Sequence, residues 1–358
     1  MLLARAPVRL SLAGGGTDVE PYYSRFGGMV VSATIDKYFY ALINPSEGPG
    51  VRISSSDYRA FYRRPQEEAP VWDGDPRLPR ALLHQFGISR GLSILLVSEV
   101  PPGTGLGSSS AVAVALAKGL STLRGQRLTA AQVADLAALV EIEELVSPAG
   151  KADHYAAAFG GINAFHFDPE AVSVEPLPLG PAVLDALHSR LLLFFTGAPR
   201  TVNGILQKQR QGIERNDQRT LAALHVLKAA AVETREALLA GNLRQIGEIM
   251  HDSWQLKRRL SPPVSNPRID EIYERARRRG ALGGTTAGPG GGGCLLLYCE
   301  PDARDPVAAE MRNLGLYQMD FHFDFGGAKV LMDSKAEAAR QPVPLHRGTL
   351  SWREAYVF

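Results

Sequence analysis

At 358 residues the chain is longer than one hydrophobic core usually serves, so two associated domains are expected. Hydrophobic residues make up 45% and charged residues 21%, without repeats or low-complexity tracts, which excludes an intrinsically disordered chain. The formal net charge of +2, from 39 Lys+Arg against 37 Asp+Glu, gives no electrostatic reason for a nucleic-acid or anionic-membrane partner, although small anions stay open.

The start "MLLARAPVRL" lacks a long apolar stretch, and no later run approaches the ~20 apolar residues of a membrane span, so a cytoplasmic protein is expected. The first hundred residues read as short strands bounded by Gly, Pro, Ser or Asp: "VRLSLAGG", "MVVSATIDKYFYALIN", "VRISSS" and "LSILLVSEV". Helices are predicted over Ser110 to Leu123 and Thr129 to Val146, followed by the strand-like "GGINAFHF". The strand "RLLLFFTG" precedes helical stretches over Val202 to Ala240, Leu243 to Leu260 and Pro267 to Arg279. The chain closes with "GGTTAGPGGGGCLLLYCE", a helix near Asp305 to Leu314 and the strand-like "MDFHFDFGGAKVLM". Clustered strands followed by clustered helices argue for an α+β fold. A domain boundary is placed in the Pro- and Gly-rich "LPLGPAVL", dividing residues 1–183 from 184–358. Cys294 and Cys299 would point to opposite faces of one strand and are expected to be reduced core thiols.

Three glycine-rich loops stand out. In "PPGTGLGSSSA", Gly103, Gly105 and Gly107 leave backbone N–H groups free to converge at a helix start, and Ser108, Ser109 and Ser110 add hydroxyls, so phosphate is the natural guest. The alternative is a capped helix after a flexible turn. The loop is neither a Walker A loop nor G-x-G-x-x-G, since no Lys-Ser/Thr pair closes it and Ser108 takes the last glycine's place. The third loop, Gly288 to Gly293, matches G-x-G-x-x-G but leads into the strand "CLLLYC", which disfavours a dinucleotide-dependent oxidoreductase. It serves either a ligand or close packing. In "LAGGGTDVEPYY", Thr17 and Asp18 follow Gly14 to Gly16; Asp18 could accept hydrogen bonds from a polyol or simply form a turn.

In this order the loops resemble the GHMP family of small-molecule kinases, and "RAPVRLSLAGGGTDVEPYYSRFGGMVVSATIDKY", "GKADHYAAAFGGINAF", "FFTGAPRTVNGILQKQ" and "HDSWQLKRRLSPPVSNPRIDEIYERARRRGALGG" resemble its D-glycero-D-manno-heptose 7-phosphate kinase branch over nearly the whole chain. The resemblance implies a ribosomal protein S5 domain 2-like N-terminal domain and a ferredoxin-like C-terminal domain. It also implies ATP and Mg²⁺, and transfer of the γ-phosphoryl group to a sugar hydroxyl, at O1 in the heptose branch. By resemblance, Pro102, Gly103, Thr104, Gly105, Leu106, Gly107, Ser108, Ser109 and Ser110 would cradle ATP. Ser109 would face Mg²⁺, with a carboxylate from "VEIEEL" as second ligand. Glu141 and Glu143 cannot share a helix face, and Glu143 lies four after Leu139, three after Val140 and seven after Leu136, so Glu143, which by the resemblance also matches the family pattern, is the expected ligand; the alternative is a solvated Glu paired with a cation.

Asp153 matches the family's aspartate facing the acceptor hydroxyl, and Arg9, at the position of a family lysine, would sit beside it and counter developing charge. Gly15, Gly16, Thr17, Asp18, Asp153, Gly290 and Gly291 are the expected acceptor contacts, with Arg25, Arg200, Lys257 and Arg258 as candidates for a distal phosphate. Lys151 is as readily a surface cation as a site residue, and His154 and His251 lack metal-ligand companions at useful spacing. The "RRR" at 277–279 reads as a solvated helix end. Two departures from the branch's pattern are Ala287, with Pro289 after it, in the third loop, and His154 where glutamine is common; the latter signals a different acceptor. A free, fucose-like hexose, a C7 cyclitol phosphate, and a nucleotide or sugar sensor without chemistry are the competing functions. The oligomeric state is left open, a homodimer among the options.

Overall fold

The computed structural model describes residues 1–47, 50–55, 60–63, 77–197, 203–260, 264–288 and 290–334. The strands are β1 (Leu2–Ala13), β2 (Gly28–Pro45), β3 (Val51–Ser55), β4 (Ala60–Arg63), β5 (Leu92–Ser98), β6 (Ile162–Phe167), β7 (Val172–Pro176), β8 (Leu191–Phe195), β9 (Ala281–Thr286), β10 (Cys294–Cys299), β11 (Tyr317–Gln318) and β12 (Lys329–Asp333). The helices are α1 (Glu20–Phe26), α2 (Arg77–Gln85), α3 (Ser108–Leu123), α4 (Ala130–Ala138), α5 (Ala152–Phe159), α6 (Pro181–His188), α7 (Asn203–Glu214), α8 (Gln218–Ala240), α9 (Leu243–Leu260), α10 (Pro267–Arg278) and α11 (Arg304–Asn313).

One sheet runs β12-β1-β2-β5-β3-β4, with β6 pairing β2 and β7 pairing β6; the other runs β11-β8-β10-β9. The pairs are antiparallel except β3 with β5. The expected boundary near residue 183 falls between these sheets in the chain, but β12 returns from the second half to pair with β1. The mixed helix and sheet content is that of an α+β fold.

Residues 28 to 35 of β2 are all buried, apolar and polar alike, because helices cover both faces of the sheet there: α3 and α5 on one side, α8 on the other. A strand enclosed on both faces has no need to alternate. α3 carries Ala111, Ala113, Val114, Ala115, Leu116 and Ala117 buried nearly all round. Gly119 lets it lie directly on β1 and β2, since a Cβ there would fall 2.7 Å from Ile43 and 3.2 Å from Ala4.

Several boundaries differ from expectation. The stretch Val202 to Ala240 is broken into α7 and α8 by Asn216, which takes φ 55°, and by Asp217, whose side chain caps α8 through the Thr220 amide at 2.8 Å. The expected helix to Val146 leaves α-geometry at Leu139 and continues as a π-turn through Glu144. Of "MDFHFDFGGAKVLM" only β12 is a strand; Asp324 instead ties a loop, accepting from the Tyr38 hydroxyl and the Gly326 and Gly327 amides. Cys294 and Cys299 are buried thiols outside any disulfide, as expected.

Candidate active site

β1 alternates the buried Val8, Leu10 and Leu12 with Arg9 and Ser11, which face a cavity of about 340 Å³. Arg9 is itself buried and its polar atoms are all directed. Nε and Nη2 donate to the two carboxylate oxygens of Asp153 at 2.7 and 2.6 Å, Nη1 donates to the Gly105 carbonyl at 2.6 Å, and the Arg9 amide donates to the Leu106 carbonyl at 3.0 Å. Asp153 sits in the first turn of α5, where the helix end favours an acid, with its side chain 29% exposed to the cavity.

The first glycine loop is shaped by what its carbonyls do. Gly103, Gly105 and Gly107 take φ of 74°, 81° and 82°, open to glycine without strain. The Gly105 and Leu106 carbonyls are taken by Arg9 and the Thr104 carbonyl by the Cys294 amide at 2.8 Å. With the acceptors turned into the protein, the amides of Gly107, Ser108 and Ser109 at the mouth of α3 have no acceptor among the described residues. That is the arrangement of an anion site. The third loop is strapped on beside it: Thr196 donates to the Gly293 carbonyl from its amide at 2.9 Å and its hydroxyl at 2.8 Å, and a Cβ on Gly293 would come 2.5 Å from the Thr104 carbonyl. Gly290 and Gly291 do not line the cavity as expected. Gly291 donates to the Val264 carbonyl at 2.9 Å and Gly290 abuts Val264, so Gly288 forms the cavity wall instead.

The acid beside the serines is Glu141, not Glu143. Glu143 is exposed, whereas Glu141 is 7% exposed and accepts from the Ser110 hydroxyl at 3.3 Å and from His154 Nε2 at 2.7 Å, with Ser109 also hydrogen bonded to it. The expectation counted Leu139 on the inward face, but Leu139 is exposed. The buried face of α4 is carried by Val133, Ala134, Leu136, Ala137 and Ala138, mostly small residues that let α3 and α5 approach, and Glu141 follows at helical spacing. Burial alone would raise the Glu141 carboxyl, yet the bonds from His154, Ser109 and Ser110 hold it below its ordinary value.

The acceptor side of the cavity is built around Asp18. Its Oδ1 accepts from the Gly16 amide at 3.1 Å and its Oδ2 from the Ala152 amide at 3.0 Å, and a Cβ on Gly150 would fall 2.1 Å from Oδ2. Burial, and then the charge of Asp153, push the Asp18 carboxyl up. Gly15, Gly16, Asp153 and Lys257 share the cavity wall with it. Burial, reinforced by Arg9 and opposed by Asp18, holds the Lys257 ammonium at about 8.

Other expected contacts lie elsewhere. The Thr17 hydroxyl is fully buried, 2.9 Å from both the Gly14 and Met29 carbonyls, and accepts from the Met29 amide, so it secures the loop rather than facing a ligand. Arg258, one residue round the helix from Lys257, pairs with Asp270 at 2.9 Å and Glu274 at 3.7 Å, away from the cavity. Arg25 is exposed and stacks on Phe26. His251 bonds to the Tyr273 hydroxyl at 2.7 Å, and Arg200 lies outside the described residues. The sequence reading missed Lys208 and Gln209 of α7, which line the cavity; Gln209 donates to the Gly16 carbonyl at 3.4 Å. Their amphipathic helix carries no local mark of a site.

Comparison with known proteins gives this geometry a family. The description "GHMP kinases N terminal domain" matches residues 77–161 and "GHMP kinases C terminal" matches residues 234–315. The chain is 31% identical to the D-glycero-alpha-D-manno-heptose 7-phosphate kinase of Campylobacter jejuni over 331 residues, covering 91% of this chain and 97% of that protein. It is 28% identical to the bifunctional fucokinase/GDP-fucose pyrophosphorylase of Arabidopsis thaliana, over 82% of this chain and 29% of that longer protein. A crystal structure of a D-glycero-D-manno-heptose 1-phosphate kinase from Bacteriodes thetaiotaomicron superposes with a TM-score of 0.74 at 27% identity, covering 93% of this chain and 99% of that one. A glycine loop emptied of its carbonyls at a helix mouth, an arginine-held aspartate beside it, and similarity to such a kinase along nearly the full length place the chain in the GHMP kinase family.

Proposed function

We propose that the chain transfers the γ-phosphoryl group of ATP to O1 of D-glycero-D-manno-heptose 7-phosphate or a closely similar sugar phosphate. The observation that carries this reading is the Arg9–Asp153 pair, which stands between the cavity and the amide-lined mouth of α3. The triphosphate is cradled by Gly103 to Ser109, and Asp18 positions the sugar through its hydroxyls. Asp153 orients the acceptor O–H and takes its proton as the oxygen bonds to the γ-phosphorus and the bond from that phosphorus to the bridging oxygen breaks, releasing ADP. Arg9 fixes the carboxylate at two points and sets a guanidinium charge beside the phosphoryl group in transit.

The residues present fit Mg²⁺: a carboxylate and hydroxyls, all hard oxygen donors, gather where phosphate oxygens would supply the remaining ligands. Glu141 and Ser109 would hold the ion, which when bound neutralises charge on the phosphates. A phosphate on the acceptor is favoured over a neutral hexose because Lys257 and Lys208 both face the cavity while Arg9 is already committed to Asp153.

ATP consumption measured across heptose 7-phosphates, the same heptoses without phosphate, fucose and C7 cyclitol phosphates tests the reading, with product position assigned by NMR. Preference for a heptose 7-phosphate with phosphorylation at O1 is expected. Equal or better turnover of unphosphorylated hexoses would overturn the acceptor assignment, and no turnover of any polyol would overturn the reaction.

A further inference from the structure

We infer that His154 is a positioning residue for the metal-side acid: by donating from Nε2 to Glu141 Oε2 at 2.7 Å it fixes that carboxylate toward the Ser109 and Ser110 hydroxyls. The inference rests on the reading of Glu141 as the acid that holds the ion.

Three observations carry it. His154 is wholly buried, and its other ring nitrogen, Nδ1, is buried with no hydrogen-bond partner among the described residues. A ring present only to fill space would be better replaced by an apolar one, since an unpartnered buried nitrogen is a cost. Among the described residues the one polar contact of the imidazole is therefore that to Glu141, and because a carboxylate only accepts, Nε2 carries the proton.

The second observation is where His154 stands. It directly follows Asp153 in the first turn of α5, and successive helical residues point about 100° apart. Asp153 is thereby directed to the acceptor cavity and Arg9 while His154 is directed to Glu141. One turn of helix sets the acceptor-side aspartate and the metal-side glutamate in fixed relation.

The third is that Glu141 lies on the π-turn rather than within α4, so the helix backbone alone constrains it less than a residue of regular helix. An outer hydrogen bond that orients a ligand carboxylate typically changes metal affinity by about 10–100-fold when removed.

The test compares wild type, His154→Leu and His154→Gln, the last retaining an N–H donor, by Mn²⁺ binding measured with electron paramagnetic resonance in the presence of a non-hydrolysable ATP analogue. His154→Leu is expected to weaken Mn²⁺ binding by about 10–100-fold, with His154→Gln recovering most of it. Glu143→Gln, altered at an exposed side chain two residues from Glu141, is expected to bind Mn²⁺ as wild type does. Should His154→Leu fail to fold, His154→Met, a flexible side chain without an N–H, takes its place. Wild-type Mn²⁺ affinity in a folded Leu or Met variant, or equal loss in the Gln and apolar variants, would overturn the positioning role. Glu141→Gln separates the two levels: unchanged Mn²⁺ affinity there would overturn the reading of Glu141 itself, and this inference with it.

Discussion

Arg9 grips both carboxylate oxygens of Asp153, at 2.7 and 2.6 Å, while its remaining nitrogen holds the Gly105 carbonyl at 2.6 Å. One side chain thus fixes the acceptor-side acid and the phosphate-side loop relative to each other. The resemblance led to the expectation that Arg9 sits beside Asp153, 144 positions away, but nothing in the sequence pointed to the bond to Gly105.

Replacing Asp153 with Asn keeps the shape but removes the proton acceptor. Turnover is expected to fall by about 10²–10⁴-fold with little change in nucleotide affinity, read by coupled ADP release and by calorimetric titration of an ATP analogue. Wild-type turnover would remove Asp153 from the reaction.

Arg9→Met should differ from Asp153→Asn in kind. Losing the bond to Gly105 as well as the pair with Asp153 is expected to weaken ATP binding and turnover together, whereas Arg9→Lys, which cannot bridge both oxygens in the same fork, should recover only part of either. Measured KM for ATP and kcat separate the outcomes.

The two glutamates give opposite expectations. Glu141→Gln should raise the Mg²⁺ concentration for half-maximal rate by on the order of tenfold to a hundredfold. Glu143→Gln, on an exposed side chain, should stay within ~0.5 kcal/mol of wild-type stability and leave the Mg²⁺ response unchanged. A reversal of this order in a Mg²⁺ titration would restore the expectation made from helical spacing.

Lys257 sets an alkaline limit. Its ammonium sits at about 8, so acceptor KM is expected to rise roughly tenfold per unit as pH climbs above that value, and Lys257→Met should raise KM and flatten the profile. Unfolding driven by this group is not the cause. Between about 8 and the ordinary 10.5 the native lysine has released its proton while the unfolded chain still binds it, so rising pH favours the folded state there. Arg258→Gln, paired outside the cavity, should leave acceptor KM unaltered.

Gly293→Ala tests the strap between the two glycine loops. A Cβ would meet the Thr104 carbonyl at 2.5 Å from a backbone at φ 80°, so stability should drop by ~1–3 kcal/mol, seen as a lower Tm, with weaker nucleotide binding.

Features that depend on a few consecutive residues were legible in the chain. The strand-rich first part, the start of α3 after alternating glycines, and α9 over Leu243–Leu260 follow from local periodicity, capping chemistry and the backbone freedom of glycine. The candidate roles of Arg9, Asp18, Asp153 and Lys257 came from resemblance, and the packing of α9 across the cavity then separated Lys257, which lines it, from its fellow candidate Arg258, which turns toward Asp270. Asn216 ending one helix and Asp217 capping the next were local signals that a continuous periodic reading overrode.

Which of two glutamates turns inward was decided by tertiary packing. The alanine face of α4 seats against its neighbours and the π-turn carries Glu141 to His154, whereas counting large apolar residues favoured Glu143. Thr17 likewise looked like a ligand until its hydroxyl was found between two carbonyls of its own loop. Sequence determines where the backbone can turn and which groups can carry charge. Only the packed structure decides which polar atoms are consumed internally and which are left facing the cavity, because hydrogen bonding and burial are settled by residues far apart in the chain.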